Sequence, residues 1–284
     1  MEVIHLRKGS LALGTFDGLH KGHEAVLLSA KMPARAITFY MPPMAEKHSE
    51  LLMEPEEKTK RLQKMGFETT VLNFEDVKDI EACEFLEQID REYSPAVICC
   101  GENYRFGHFG KGDVSLLKSF CEEKGIEARI SPMQDKDNVK ISSSVIRSLI
   151  KSGNLKEANE MLTEPFSISG EVIHGDSRGR KMGIPTVNFF YPESVVRARH
   201  GVYAARIEVD GKTYPAITYV GNRPTYHIDK CVCETNILDF SGDVYGKEVK
   251  VYLLSFLREE KKFKSLSELA AQIETDIKRV KENT

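Results

Sequence analysis

The sequence predicts two dissimilar domains: a doubly wound α/β domain on a parallel sheet, then a small antiparallel β-barrel with a C-terminal helix. Three observations predict this. Short apolar runs alternate with helical patterns as far as about residue 150. Beyond Pro165 the pattern becomes strands and tight turns. The length, 284 residues, exceeds what a small single-core domain needs and suits two domains.

In the first half the apolar runs are residues 11–14, 36–40, 69–74 and 96–101. Between and after them, residues 23–31, 56–65, 80–93 and 114–124 carry apolar side chains three and four apart, the period of a helix. Strand–helix alternation builds βαβ units, and such sheets bind ligands outside the carboxyl ends of their strands. In the second half, residues 201–209 and 212–220 read as strands joined at Asp210-Gly211, a two-residue hairpin signal. Residues 231–240 and 248–257 are further strands, and an amphipathic helix covers about 265–280. A proline following a helical pattern at Leu162-Thr163-Glu164-Pro165 sets the expected domains as 1–163 and 164–284.

Composition narrows the function. Forty Lys+Arg against 43 Asp+Glu give a net charge of −3, and the stretches before and after Thr163 carry −4 and +1. Neither is a polyelectrolyte binder, so neither nucleic acid nor an anionic membrane is the expected partner. No run approaches the roughly 18 apolar residues of a membrane span. Charges in MEVIHLRKGS occupy the place of a secretory signal's apolar core. The six cysteines, at 83, 99, 100, 121, 231 and 233, lack zinc-knuckle spacing, and a reduced cytoplasmic location is expected.

Gly14-Thr15-Phe16-Asp17-Gly18-Leu19-His20-Lys21-Gly22-His23 leaves the first strand and opens a helix. Glycines permit a sharp turn and close approach to a ligand, and a helix N-terminus suits a phosphate. His20 and His23, three apart, face the same way and can donate to charge developing on a transferred phosphate. Taken alone, the pair also fits a surface turn. The whole string resembles the His-x-Gly-His nucleotidyltransferase superfamily. That superfamily's second signature is matched by Ile141-Ser142-Ser143-Ser144-Val145-Ile146-Arg147. The resemblance implies that Gly14, Thr15, Phe16, Asp17, His20, His23, Ser142, Ser143 and Arg147 hold phosphates and nucleotide. Gly101-Glu102-Asn103-Tyr104-Arg105-Phe106-Gly107 looks like the loop of the FMN adenylyltransferases, which implies that Asn103 and Arg105 line the flavin side.

The stretch 170–188 packs glycines and basic residues into a loop after a strand. Successive N–H groups there can cradle phosphates, although composition alone favours an exposed basic hairpin loop. Thr186 and Asn188 alternate along an extended segment and offer two hard oxygens on one side. Gly179-x-x-x-Gly183-Ile184-Pro185-Thr186-x-Asn188 looks like the riboflavin kinase signature. Gly201-Val202-Tyr203, Gly221-Asn222-Arg223-Pro224-Thr225, Glu234 through Phe240, Asp243 through Gly246 and Arg258 with Glu260 agree with it.

The whole chain thus resembles the bifunctional riboflavin kinase/FMN adenylyltransferases, the bacterial FAD synthetases. The resemblance implies riboflavin, FMN and ATP as small-molecule substrates and Mg²⁺ as cofactor. It places the ATP phosphates on Gly175, Arg178, Gly179 and Gly183, the metal on Thr186 with Asn188, the base at Glu234, and flavin contacts at Arg258 and Glu260. Two positions depart from the pattern: Pro42 where a His is usual, and Asn236 where a His is common. Proline neither donates a hydrogen bond nor titrates, so the alternative keeps the kinase and makes the first domain a degenerate nucleotidyltransferase retained for binding or assembly. The oligomeric state is left open.

Overall fold

Five parallel strands build the first sheet: β1 (Ser10–Leu13), β2 (Ala34–Phe39), β3 (Phe67–Leu72), β4 (Val97–Gly101) and β5 (Glu127–Ser131), in the order β3-β2-β1-β4-β5. The computed structural model describes residues 7–40, 50–173, 186–222, 231–261, 263 and 265–283. The chain divides into two compact units, Met1–Val145 and Ile146–Thr284.

In the first unit, helices α1 (Lys21–Leu28), α2 (Pro55–Lys64), α3 (Phe74–Val77), α4 (Ala82–Tyr93) and α5 (Val114–Lys124) follow successive strands. Side chains of a strand alternate between faces, and the core divides accordingly. Leu11, Leu13, Ile98 and Cys100 pack with Phe85, Leu86, Leu117 and Phe120. Ala12, Ala36 and Cys99 pack with Leu27 and Leu62 on the other face. Helices therefore cover both faces, the doubly wound arrangement that the alternation predicts. β1 and β4 are almost wholly buried, as inner strands of a parallel sheet must be. β5, with sequence EARIS, is a half-exposed edge strand that charge hides from a reading of apolar runs.

From β1 the chain passes to β2 and β3 on one side and later returns to β4 on the other. The carboxyl ends of β1 and β4 thus form the topological switch point where open α/β sheets bind ligands. A short hairpin, β6 (Asp135–Lys136) and β7 (Val139–Lys140), precedes α6 (Ser143–Ser152) and α7 (Leu155–Met161).

Among the described residues, the second unit has six antiparallel strands: β8 (Ser167–Glu171), β9 (Thr186–Phe190), β10 (Gly201–Val209), β11 (Lys212–Asn222), β12 (Cys231–Ile237) and β13 (Glu248–Arg258), in the order β8-β13-β10-β11-β12-β9. The Ile173 amide donates to the Asn188 carbonyl at 2.8 Å, drawing the two edge strands together into a nearly closed barrel. Asp210 and Gly211 both adopt positive φ, which the tight β10–β11 hairpin requires. The C-terminal helix α8 (Leu266–Asn283) sets Ile277 and Val280 against Val202, Ala204, Ile217 and Leu238.

The units divide at Val145/Ile146, earlier than the 163/164 boundary read from sequence. The physical reason lies in α7. The Asn159 amide nitrogen donates to the Leu253 carbonyl at 2.8 Å, and its oxygen accepts from the Phe166 amide at 2.8 Å. The last helices of the α/β pattern therefore belong with the barrel.

Candidate active sites

The turn after β1 is held from several sides. The Gly14 amide donates to the Ile37 carbonyl of β2 at 3.2 Å. Gly18 has φ +84°, and a Cβ there would lie 2.6 Å from Leu52 Cδ1. Phe16 and Leu19 adopt φ near +49° and +45° without being glycine. Such backbones cost roughly 1–2 kcal/mol each; full burial of both side chains holds them. The buried Asp17 carboxylate accepts from the Leu52 amide at 2.8 Å. Ser143 Oγ donates to the Asp17 carbonyl at 3.0 Å. That bond joins the two nucleotidyltransferase signatures, 126 residues apart in sequence. Ser142 Oγ accepts from the Val145 amide at 3.4 Å, capping α6, and Arg147 lies one helical turn beyond Ser143.

His20 caps α1. Its Nδ1 accepts from the His23 amide at 3.2 Å, which puts the proton of a neutral ring on Nε2. The two imidazoles stack with centroids 3.6 Å apart, and the Phe16 ring meets His23 edge-on. Burial, then the neighbouring His20 and Lys58, holds His23 well below the usual histidine range, so it is neutral. Its Nδ1 is buried without a hydrogen-bond partner.

Lys58, on α2, is a buried charged residue beside the turn that sequence reading missed. It is 4% exposed, and its Nζ donates to the Phe39 carbonyl at 2.6 Å and the Thr15 carbonyl at 3.1 Å. Burial lowers its pKa to about 8, and Asp17 pulls it partly back. A signal exists: Lys58 falls between Pro55 and Leu62 at spacings of three and four, on the inward stripe of α2.

In the loop after β4, Asn103 and Arg105 are exposed, and Arg105 reaches Asp113 at 3.5 Å. Gly107 (φ +71°) fixes the loop, because a Cβ there would lie 2.5 Å from Ala82 Cα. Phe106 anchors it in the core. Pro42 lies outside the described residues.

In the barrel, β9 and β12 bring the predicted residues together. Glu234 pairs in register with Asn188, and Asn236 with Thr186. Two-residue spacing along each strand then sets all four side chains on one face. Thr186 Oγ1 donates to Glu234 Oε1 at 2.9 Å. Among the described residues, the buried Asn188 Oδ1 has no hydrogen-bond partner, an unusual state for a polar atom and one that a cation relieves. Hydroxyl, amide and carboxylate oxygens form a hard donor set that fits Mg²⁺. Gly175, Arg178, Gly179 and Gly183 lie outside the described residues.

Arg258, expected at the flavin, is ion-paired within the second unit. Its Nε and a terminal nitrogen both lie 2.9 Å from Asp276 Oδ2, on α8, and Asp276 is fully buried. The guanidinium thus ties the C-terminal helix to β13. Glu260 is exposed just past β13. The Cys100 and Cys121 thiols are pushed up by burial to about 12 and 11, so neither supplies a thiolate nucleophile.

A histidine-bearing turn at a parallel-sheet switch point and a hard-oxygen face on an antiparallel barrel together define a two-unit transferase of phosphorus groups. Comparison with known proteins gives the particular family. The FAD synthetase family model matches residues 4–145, and the riboflavin kinase model matches residues 162–284. The bifunctional riboflavin kinase/FMN adenylyltransferase of Bacillus subtilis is 32% identical over 95% of this chain and 90% of its own. That of Escherichia coli K12 is 31% identical, over 94% and 90% respectively. A crystal structure titled as a macrolide-efflux protein from Streptococcus pneumoniae superposes with TM-score 0.88 at 31% identity, covering 97% of this chain and 94% of that one. The chain belongs to the bifunctional riboflavin kinase/FMN adenylyltransferase family. Among the described residues, no helix is long and apolar enough to cross a membrane.

Proposed function

We propose that the family's two activities run in succession in this chain, with riboflavin phosphorylated on the barrel face and the resulting FMN adenylylated at the histidine turn. The observation that carries the barrel assignment is the Thr186–Glu234 hydrogen bond beside the orphaned Asn188 oxygen. Glu234 accepts the proton of the riboflavin 5′-hydroxyl as that oxygen attacks the γ-phosphorus of ATP and ADP leaves. Thr186 orients the carboxylate and, with Asn188, holds Mg²⁺; the ion, when bound, neutralises charge on the ATP phosphates. Positioning and electrostatics supply most of the catalysis in such transfers.

In the first unit, the FMN phosphate attacks the α-phosphorus of ATP and pyrophosphate leaves. His20 and His23 stand at the helix start toward the phosphates, His23 as a neutral ring, with Ser142 just before α6 and Ser143 and Arg147 on it. Asn103 and Arg105 take the flavin side. The reading places both reactions in the cytoplasm, supported by six unpaired cysteines. Purified protein with riboflavin, ATP and Mg²⁺, its products resolved over time, tests the scheme. FMN should appear first and FAD follow. FMN that accumulates without FAD, from oxidised or reduced flavin, would favour a degenerate first unit.

A further inference from the structure

We propose that Lys58 is a positioning residue of the adenylyl-transfer site, whose buried ammonium ties the carboxyl ends of β1 and β2 together and so fixes the turn that carries His20 and His23. The role rests on the adenylyltransferase reading of the first unit.

The geometry is specific. Thr15 follows β1, and Phe39 ends β2, at the sheet edge where ligands bind. The Thr15 carbonyl accepts from both Thr38 Oγ1, at 2.7 Å, and Lys58 Nζ, so both its lone pairs are occupied. The Phe39 carbonyl takes the closer bond from Lys58. Without the ammonium, the Thr15 carbonyl would keep only its Thr38 bond and the Phe39 carbonyl would lose its Lys58 donor, leaving negative dipole ends less screened at the edge where anionic phosphates must approach. Lys58 neutralises them from inside the protein, without itself touching the ligand.

Among the described residues, the charges acting on it are few. Asp17, from the turn, attracts the ammonium, and His23, from α1, is repelled by it. On α2 itself Glu57 is engaged by Arg61 at 2.6 Å. From β2 come the Phe39 carbonyl and, through Thr15, the Thr38 hydroxyl. A lone buried lysine is costly, and the site retains one where an apolar residue would fill the same stripe of α2.

A structural plug and a charged positioning group differ in their response to pH. Burial brings the Lys58 ammonium to the point of losing its proton near pH 8. FAD synthesis from supplied FMN should therefore fall as pH rises through 8, while Lys58→Arg, whose guanidinium keeps its charge, should lose that alkaline limb. Lys58→Met should cut kcat for FAD synthesis by about 10–100-fold at pH 7, with riboflavin phosphorylation unchanged as the control for folding and concentration. A second readout needs no turnover. The His23 ring, followed by NMR, should take up its proton at higher pH in Lys58→Met than in the parent, and stay at the parent position in Lys58→Arg. Lys58→Met with parental FAD synthesis, or with an unmoved His23 titration, would overturn the proposal. If the parent makes no FAD at any pH, the adenylyltransferase reading fails instead, and the His23 titration alone decides the role of Lys58.

Discussion

The buried ammonium of Lys58 makes a prediction about stability that is separate from catalysis. Its ordinary pKa is 10.5, and in the folded protein burial lowers it to about 8. The folded value is the lower one, so between these limits the unfolded chain still holds a proton that the folded protein has released. Stability then rises with pH across that window. The stabilising term is complete above pH 10.5 and is lost as pH falls through 8. At 1.36 kcal/mol per unit, the gap corresponds to about 3 kcal/mol. The parent's raw profile will not rise by that amount. Cys100 and Cys121 are shifted upward, so their contribution is present below the ordinary thiol pKa and is lost as pH rises past it. Lys58→Met carries the same thiols, and the difference between parent and variant cancels them. That difference should be flat below about pH 7.5 and move toward the parent by about 3 kcal/mol by pH 10.5. Pulse proteolysis in urea, with fragments of residues 7–145 identified by mass, measures it in the relevant unit. A difference that stays flat across pH 7–10.5 would refute the claim that a charged, desolvated lysine sits at this position.

Four further outcomes are expected. Glu234→Gln keeps the side chain's shape and removes the base, so FMN formation should fall by about 10²–10⁴-fold, with FAD formation from supplied FMN unchanged. Thr186→Val removes the donor to Glu234 and one oxygen from the metal face; the kinase should need more Mg²⁺ and turn over more slowly, as a metal titration of the rate will register. His23→Ala should abolish most FAD synthesis and spare the kinase, and it should also flatten the loss of first-unit stability as pH drops below the usual histidine range, because His23 is shifted downward. A fragment of residues 146–284 should fold and phosphorylate riboflavin, whereas one beginning at 164 loses the Asn159 bonds to Leu253 and Phe166 and should be less stable by about 1–3 kcal/mol in urea melts.

Some of this was readable in the chain and some was not, for physical reasons. β1, β2 and β4 are apolar because both faces are covered, and such strands announce themselves. β5 and β8 are edge strands, EARIS and SISGE, whose exposed or small residues carry no apolar run. The histidine turn and the Thr186, Asn188 and Glu234 set were visible because each lies within a short, dense segment. Lys58 was not, because a lysine on an amphipathic helix is ordinarily solvated; only its place in the stripe between Pro55 and Leu62 betrays it. Arg258 shows another limit: its motif implied a flavin contact, and its ion-pair partner Asp276, 18 residues downstream on another element, is a pairing that no spacing rule reveals.

The two sites also differ in a way the chemistry of their substrates explains. The nucleophile in the kinase step is an alcohol, which is a poor nucleophile until its proton is taken. A carboxylate poised by a 2.9 Å hydrogen bond from Thr186 suits that need. The nucleophile in the adenylyl step is a phosphate, whose second pKa is about 6 and which is already largely a dianion at pH 7. It needs no base. It needs an approach to a second anion, ATP, with repulsion removed and geometry fixed. In the proposed site, two stacked imidazoles at a helix start, His23 among them held neutral, with one lysine buried behind the turn, would meet that requirement. A carboxylate facing the phosphates at that edge would oppose the reaction, and Asp17 is turned inward to the Leu52 amide instead. The proposed division of labour between a half-buried carboxylate base and one buried positive charge thus follows from which of the two nucleophiles arrives already ionised.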